Sequence, residues 1–282
     1  MGENTAISWC HSTWNPWIGC TRVSPGCQHC YAEAFARRYG KADWGPTAQR
    51  VRTSAANWRK PIIWNRKAEA EGIRRRVFCA SLANVFEDNP QVETWRRDLF
   101  DLILQTPHLD WLLLTKRPEN IIPALRKIQA LKRDNLYDHL WLRGHFPNVW
   151  LGTTVENQAA ADKRIPALIQ VPATVRFLSC EPLLGPVDLS GTTCDTVWID
   201  AGYAATDPGL GALVREEGWP IHWVIAGGES GPHARPMNPD WARSIRDQCV
   251  AAGVPFHFKQ WGGLTPKANG RELDGRIWDE CP

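Results

Sequence analysis

Short apolar runs rich in β-branched and aromatic residues alternate along the chain with longer segments of helical spacing. Residues 77–81 and 111–115 each precede a segment whose apolar positions recur at helical intervals, near 92–104 and 120–131. The runs 149–153, 175–179, 196–200, 222–226 and 254–258 repeat the theme, and a weaker run at 6–9 brings the candidate strands to about eight. Strands that are apolar along their whole length belong in a parallel sheet covered by helices. The pattern predicts an α/β chain: a closed or partial β/α barrel of TIM type, forming a single domain over 1–282. A doubly wound open sheet is the competing arrangement. Residues 40–66 and 132–147 are irregular and rich in Trp, Arg or Lys, so they are expected to be excursions from the barrel, and 262–282 an irregular C-terminal cap.

Composition adds little to this and excludes some classes. With 282 residues, 43% apolar and 22% charged, the chain is long enough to bury a full core. A net charge of +3 permits an anionic partner without requiring one. There is no run of eighteen apolar residues, the N-terminus lacks the basic and apolar regions of a signal peptide, and Ala6 spoils a myristoylation match after Gly2. The expectation is a cytoplasmic protein that does not engage a membrane, of unknown oligomeric state.

Nine cysteines in a chain too large to need stapling read as metal ligands or buried thiols rather than disulfides. Cys79, Cys180 and Cys249 lie in apolar periodic segments, and Cys10, Cys194 and Cys281 stand apart. Cys20, Cys27 and Cys30 are different: they form a C-x(6)-C-x(2)-C triad in one loop. Three thiolates leave a four-coordinate metal, or a cubane iron–sulfur cluster, one protein ligand short. A structural zinc would need a fourth ligand, from Cys10, His11 or His29. A cluster needs none, and Trp9, Trp14, Trp17 and Ile18 could form an apolar rim around it; plain core packing explains the same tryptophans.

In a β/α barrel the loops at the carboxyl ends of the strands form the active site. Those ends are polar here. They carry Ser81 and Asn84; Thr115, Lys116 and Arg117; Thr153, Thr154, Glu156 and Asn157; Glu181; Gly227, Gly228 and Glu229, with Arg235 beyond; and Lys259, Gln260 and Trp261. Any one of them could be a helix cap or a solvated charge. Carboxylates and cations at this many consecutive strand ends exceed what capping needs.

The cysteine loop, followed by a helix over 31–39 and then Gly40, resembles the radical S-adenosylmethionine (SAM) enzymes. More closely, the chain is similar over nearly its whole length to a phage and bacterial family of radical-SAM-like proteins. The likeness is carried by Trp14-Asn15-Pro16 with Gly19-Cys20, Ser24-Pro25-Gly26-Cys27 with Cys30-Tyr31-Ala32-Glu33, Leu114-Thr115-Lys116-Arg117, Phe177-Leu178-Ser179 with Glu181-Pro182-Leu183-Leu184-Gly185-Pro186, Gly227-Gly228-Glu229-Ser230-Gly231 and Phe258-Lys259-Gln260-Trp261-Gly262. The resemblance implies a [4Fe-4S] cluster on Cys20, Cys27 and Cys30, S-adenosylmethionine at its open iron, an external electron donor, and a 5′-deoxyadenosyl radical that takes hydrogen from a substrate.

Two departures from that superfamily shape the remaining roles. The gap between the first two cysteines is six residues rather than the usual three. A Gly-Gly-Glu motif that holds the SAM amine ordinarily ends the second strand, whereas Gly227-Gly228-Glu229 follows a late one. Ser81 and Asn84 are therefore the positional candidates near the SAM amine, and Glu229 a candidate for ribose or substrate, with Gly227 and Gly228 letting backbone approach a ligand. Lys116 and Arg117 would bind the SAM carboxylate or a substrate phosphate, and Glu181 would anchor or transfer a proton. Sixteen tryptophans among many arginines point to DNA or RNA as substrate for modification or repair, with a small nucleotide or peptide behind it; a solvated basic face with core tryptophans explains the same counts equally well. The alternatives are a non-catalytic nucleic-acid-binding protein with a structural metal centre and a redox sensor.

Overall fold

The computed structural model describes residues 2–132, 146–193, 196–199 and 220–282. Its centre is a curled, seven-stranded, wholly parallel sheet whose spatial order follows the sequence. The strands are β1 (Ser12–Thr13), β2 (Arg75–Cys79), β3 (Leu109–Thr115), β4 (Val149–Thr154), β5 (Val175–Cys180), β6 (Trp223–Gly227) and β7 (Phe256–Gln260). Helices fill most crossovers: α1 (Tyr31–Arg38) and α2 (Ala55–Glu71) before β2, α3 (Glu93–Leu104) before β3, α4 (Ile121–Lys132) before β4, α5 (Gln158–Ile169) before β5 and α6 (Pro239–Ala252) before β7. This is a half-barrel, the partial form of the expected architecture. Among the described residues no helix is long and apolar enough to cross a membrane.

The two-residue period of a strand sorts its side chains onto two faces. Val77, Trp111, Leu113, Leu151, Leu178, Val224 and Phe256 point outward and pack with Leu99, Ile103, Ile165, Leu168 and Ile245 of the helices. Phe78, Leu112, Trp150, Phe177, Trp223 and Ile225 point into the half-barrel. Gly152 lies opposite Phe177 on that inner face, where an added Cβ would fall 2.3 Å from the ring. Only glycine leaves room for the ring there.

Two expected strands take other forms. Residues 6–9 are turn, and the first strand is instead the polar pair Ser12–Thr13, in register with Val77 and Phe78. Trp9 is freed from pairing and fills the inside of the half-barrel, its ring 4.7 Å from Phe78 and 6.4 Å from Trp223. Thr196–Val197 pairs antiparallel with Thr192–Thr193 in a separate ribbon rather than joining the sheet. Part of the expected irregular stretch 40–66 is α2, capped by Ser54, whose hydroxyl accepts from the Asn57 amide, and ended by Gly72 at φ 65°. Asn57, Pro61 and Asn65 on its buried face blur its apolar periodicity. The excursion expected at 132–147 lies almost wholly outside the described residues.

The cap at 262–282 contains a hairpin, Glu272–Leu273 with Arg276–Ile277, and then runs along β7. The Phe258 amide donates to the Trp278 carbonyl at 2.9 Å, and the Trp223 indole donates to the Glu280 carbonyl at 2.9 Å. From the other terminus Ser8 Oγ lies 2.8 Å from His257 Nε2. Both ends of the chain thus help to fill and cover the half-barrel.

Candidate functional site

The cysteine loop leaves β1 and lies over the carboxyl ends of the strands. Trp17–Ile18 pairs with Val51–Arg52, and the Gly19 amide donates to the Leu82 carbonyl at 3.1 Å. Gly19 sits at φ 115°, with the Arg50 side chain 2.8 Å from where a Cβ would be, so the chain turns into the loop on a glycine. Cys20 follows, Cys27 ends a single 3-10 turn (Pro25–Cys27), and Cys30 caps the N-terminus of α1. All three are free and half-buried.

Arg117, at the end of β3, lies against the first thiol. Its Nη1 is 3.8 Å from Cys20 Sγ, and its Nη2 donates to the Thr21 carbonyl at 2.7 Å. Behind it, Glu87 is 3.8 Å from Arg117 and forms a buried two-point pair with Arg50, at 2.8 and 2.7 Å. Gly26 rests on the next two strand ends: a Cβ there would be 3.2 Å from Glu156 Cδ and 3.4 Å from Lys116 Cε. Lys116 donates to the Thr154 hydroxyl at 3.3 Å, and Glu156 is paired with Arg164 at 2.6 Å. Burial, reinforced by Glu87, pushes the Cys20 thiol up to about 11 against the pull of Arg117. Burial also raises Cys30, opposed by the Glu33 and Ala32 amides of α1 and by Lys116. Thiols raised in this way surrender protons on metal binding, and the two cations offset the charge so formed.

Glu229 ties the loop to the opposite side of the mouth. Its carboxylate accepts from the Arg235 guanidinium at 2.8 and 2.6 Å and from the Arg235 amide at 2.9 Å, and lies 3.1 Å from His29 Nδ1. Arg235 in turn donates to the Pro25 carbonyl at 3.1 Å. Burial would raise this carboxyl, yet the hydrogen bonds from Arg235 and His29 hold it at about 2. Glu181 accepts from Ser179 Oγ at 3.3 Å and sits 3.4 Å from Lys259 Nζ, beside Gly227.

Lys116, Arg117 and Glu229 therefore meet the cysteine loop, while Glu181 faces Lys259 across the end of β7. Ser81 and Asn84 follow β2 and are occupied by neighbouring loops. The Ser81 hydroxyl accepts from Asn15 at 2.9 Å and its carbonyl from the Tyr31 hydroxyl at 2.8 Å; Asn84 Oδ1 accepts from the Phe86 amide and the Thr115 hydroxyl, both at 2.9 Å. At Gly228 an added Cβ would lie 2.0 Å from the Trp261 carbonyl oxygen, so its bareness serves contact between the β6 and β7 loops.

The proposed zinc ligands disperse. Cys10 is buried in the inner cluster, His11 accepts from the Arg76 amide, and only His29 stays in the loop, on Glu229. Among the described residues no group of three or more His, Cys, Asp or Glu side chains is arranged to hold a single metal ion. Trp14 and Trp17 are core residues rather than a rim, both fully buried, with the Trp14 indole donating to the Asn57 carbonyl. Arg50 and Glu87 escaped the sequence reading as site residues, and their pair carried no signal. Lys259 was named among the polar strand ends, but its pairing with Glu181 was not.

A family model described as a protein of unknown function (DUF5131) matches residues 4–282. No curated protein and no solved structure matches the chain.

Proposed function

The chain belongs to the DUF5131 family, and from its site we propose that it is an iron–sulfur enzyme of radical SAM type, acting on a nucleic acid or nucleotide in the cytoplasm with an external electron donor. The observation that carries this reading is three half-buried thiols in one loop, over the carboxyl ends of a parallel half-barrel, with Arg117 and Lys116 beside them. The donor set fits a [4Fe-4S] cluster: three thiolates from one loop, cations to balance them, and no fourth protein thiol in the loop. With S-adenosylmethionine bound, such a centre supplies one-electron reductive cleavage, yielding an organic radical able to remove hydrogen from a substrate.

The protein's own residues do the positioning. Cys20, Cys27 and Cys30 hold the group, and Arg117 stays fixed on Cys20 through Thr21 and Glu87. Glu229 clamps the loop through His29 and Arg235. Glu181 and Lys259 present an opposed charge pair near the mouth, suited to orienting a polar ligand or moving a proton. Metal and sulfide analysis of protein purified without oxygen, followed by a SAM cleavage assay with a strong reductant, tests the proposal. Wild-type protein is expected to hold iron and sulfide and to release 5′-deoxyadenosine, and Cys27→Ala to lose both. Iron retention and turnover in Cys27→Ala would refute it.

A further inference from the structure

Immediately after Cys30, α1 and its C-cap residue Tyr39 turn three aromatic residues to solvent. Tyr31, Phe35 and Tyr39 recur at four-residue spacing, which places them on one face, and they are 55%, 40% and 53% exposed. The opposite face packs Ala32 and Ala36 on Ile18 and Leu82. The Phe35 and Tyr39 rings lie 4.8 Å apart, and the Arg38 guanidinium is 5.7 Å from the centre of Tyr39. Tyr31 fixes the other end of the stripe at the mouth, its hydroxyl donating to the Ser81 carbonyl.

The charges beside the stripe are positive and partly uncommitted. The buried Glu33 carboxylate pairs with Arg22 and Arg37. Among the described residues Arg38 and Lys41 have no ion-pair partner, and both are exposed. Exposed rings with adjacent cations complement one class of polymer well: a single-stranded nucleic acid, whose bases stack on aromatic faces and whose phosphates meet cations. A duplex keeps its bases stacked on one another and cannot use the rings in this way.

We infer that Tyr31, Phe35 and Tyr39, flanked by Arg38 and Lys41, form a stacking platform that leads a single-stranded nucleic acid to the cysteine loop. This rests on the nucleic-acid reading above and names the strand state of that substrate. The backbone positions that carry successive rings are about 6 Å apart along the helix axis, within reach of neighbouring nucleotides in an unstacked strand.

The test is fluorescence anisotropy of a labelled single strand of about 12 nucleotides, titrated with the full chain purified without oxygen. Binding should weaken steeply with salt, and Phe35→Ala and Tyr39→Ala should each weaken it about tenfold. The pair Arg38→Glu and Lys41→Glu should flatten the salt dependence, and Val250→Ala, exposed on α6, should change nothing. Wild-type affinity in the Phe35→Ala/Tyr39→Ala double variant would overturn the inference. So would equally tight binding of a duplex, or binding only to anionic phospholipid vesicles. Iron, sulfide and SAM cleavage measured on the same preparations separate the two readings. A loaded, cleaving protein that binds no strand defeats the platform alone, whereas ring-dependent binding by a protein that loads no cluster defeats the radical SAM proposal alone.

Discussion

His29 Nδ1 lies 3.1 Å from Glu229 Oε2, joining the cysteine loop to the loop after β6 across 200 residues of sequence. Arg235 completes the clamp by bonding both Glu229 and the Pro25 carbonyl. The carboxylate is thus a structural tie between the cysteine loop and the far side of the mouth.

The clamp should be sensitive to acid. Glu229 titrates at about 2 in the folded protein, below the usual 4.5, so its contribution is complete above pH 4.5 and is lost as pH falls toward 2. Glu229→Gln should lower stability by about 2 kcal/mol at pH 6 and lose less than the wild type on acidification. Urea unfolding at pH 6, 4 and 3 checks both expectations, and parallel pH profiles would contradict them.

Arg117 reaches both Cys20 and the Thr21 carbonyl from one planar guanidinium. A lysine keeps the charge but cannot span both partners at once. In reconstituted protein Arg117→Ala should lower the midpoint potential, because the lost cation favoured the more negative reduced state, and Arg117→Lys should fall between. A redox titration followed by electron paramagnetic resonance measures this; three equal potentials would mean that the charge is not felt.

Glu87 and Arg50 form a pair with 5% and 0% of their side chains exposed. Removing one partner strands a buried charge, so Glu87→Ala should cost about 3–5 kcal/mol. It should also loosen Arg117, whose acidic neighbour is Glu87 at 3.8 Å. Denaturant unfolding at neutral pH is the measurement.

Gly228 leaves no space for a side chain, with the Trp261 carbonyl 2.0 Å from an added Cβ. Since that obstacle is backbone, Gly228→Ala should destabilise by about 3 kcal/mol. Gly185→Ala would meet only Asn157 Cβ at 3.5 Å and should be nearly silent in the same thermal unfolding experiment.

Much of the sheet was legible because parallel strands are apolar throughout. β2 to β5, together with β6 and β7, announce themselves in this way, within a few residues of their ends. β1 does not, since Ser12 and Thr13 carry no apolar signal, while the neighbouring Trp9 carries a strong one and uses it to fill the half-barrel. The convergence of Lys116 and Arg117 on the cysteine loop followed from their places at a strand end. The pairing of Arg50 with Glu87, or of His29 with Glu229, depends on contacts between distant loops that no local pattern encodes. Gly228 was visible as a special position, but its close contact with Trp261 was not.

The distance in sequence between the cysteine loop and its clamp also orders events during synthesis. At about 5–20 residues per second the ribosome takes roughly 10–40 s to proceed from His29 to Glu229. Over that interval Cys20, Cys27 and Cys30 are already made while the Glu229–Arg235 clamp on their loop is not. The clamped form of the cysteine loop is therefore completed only after translation has passed Arg235.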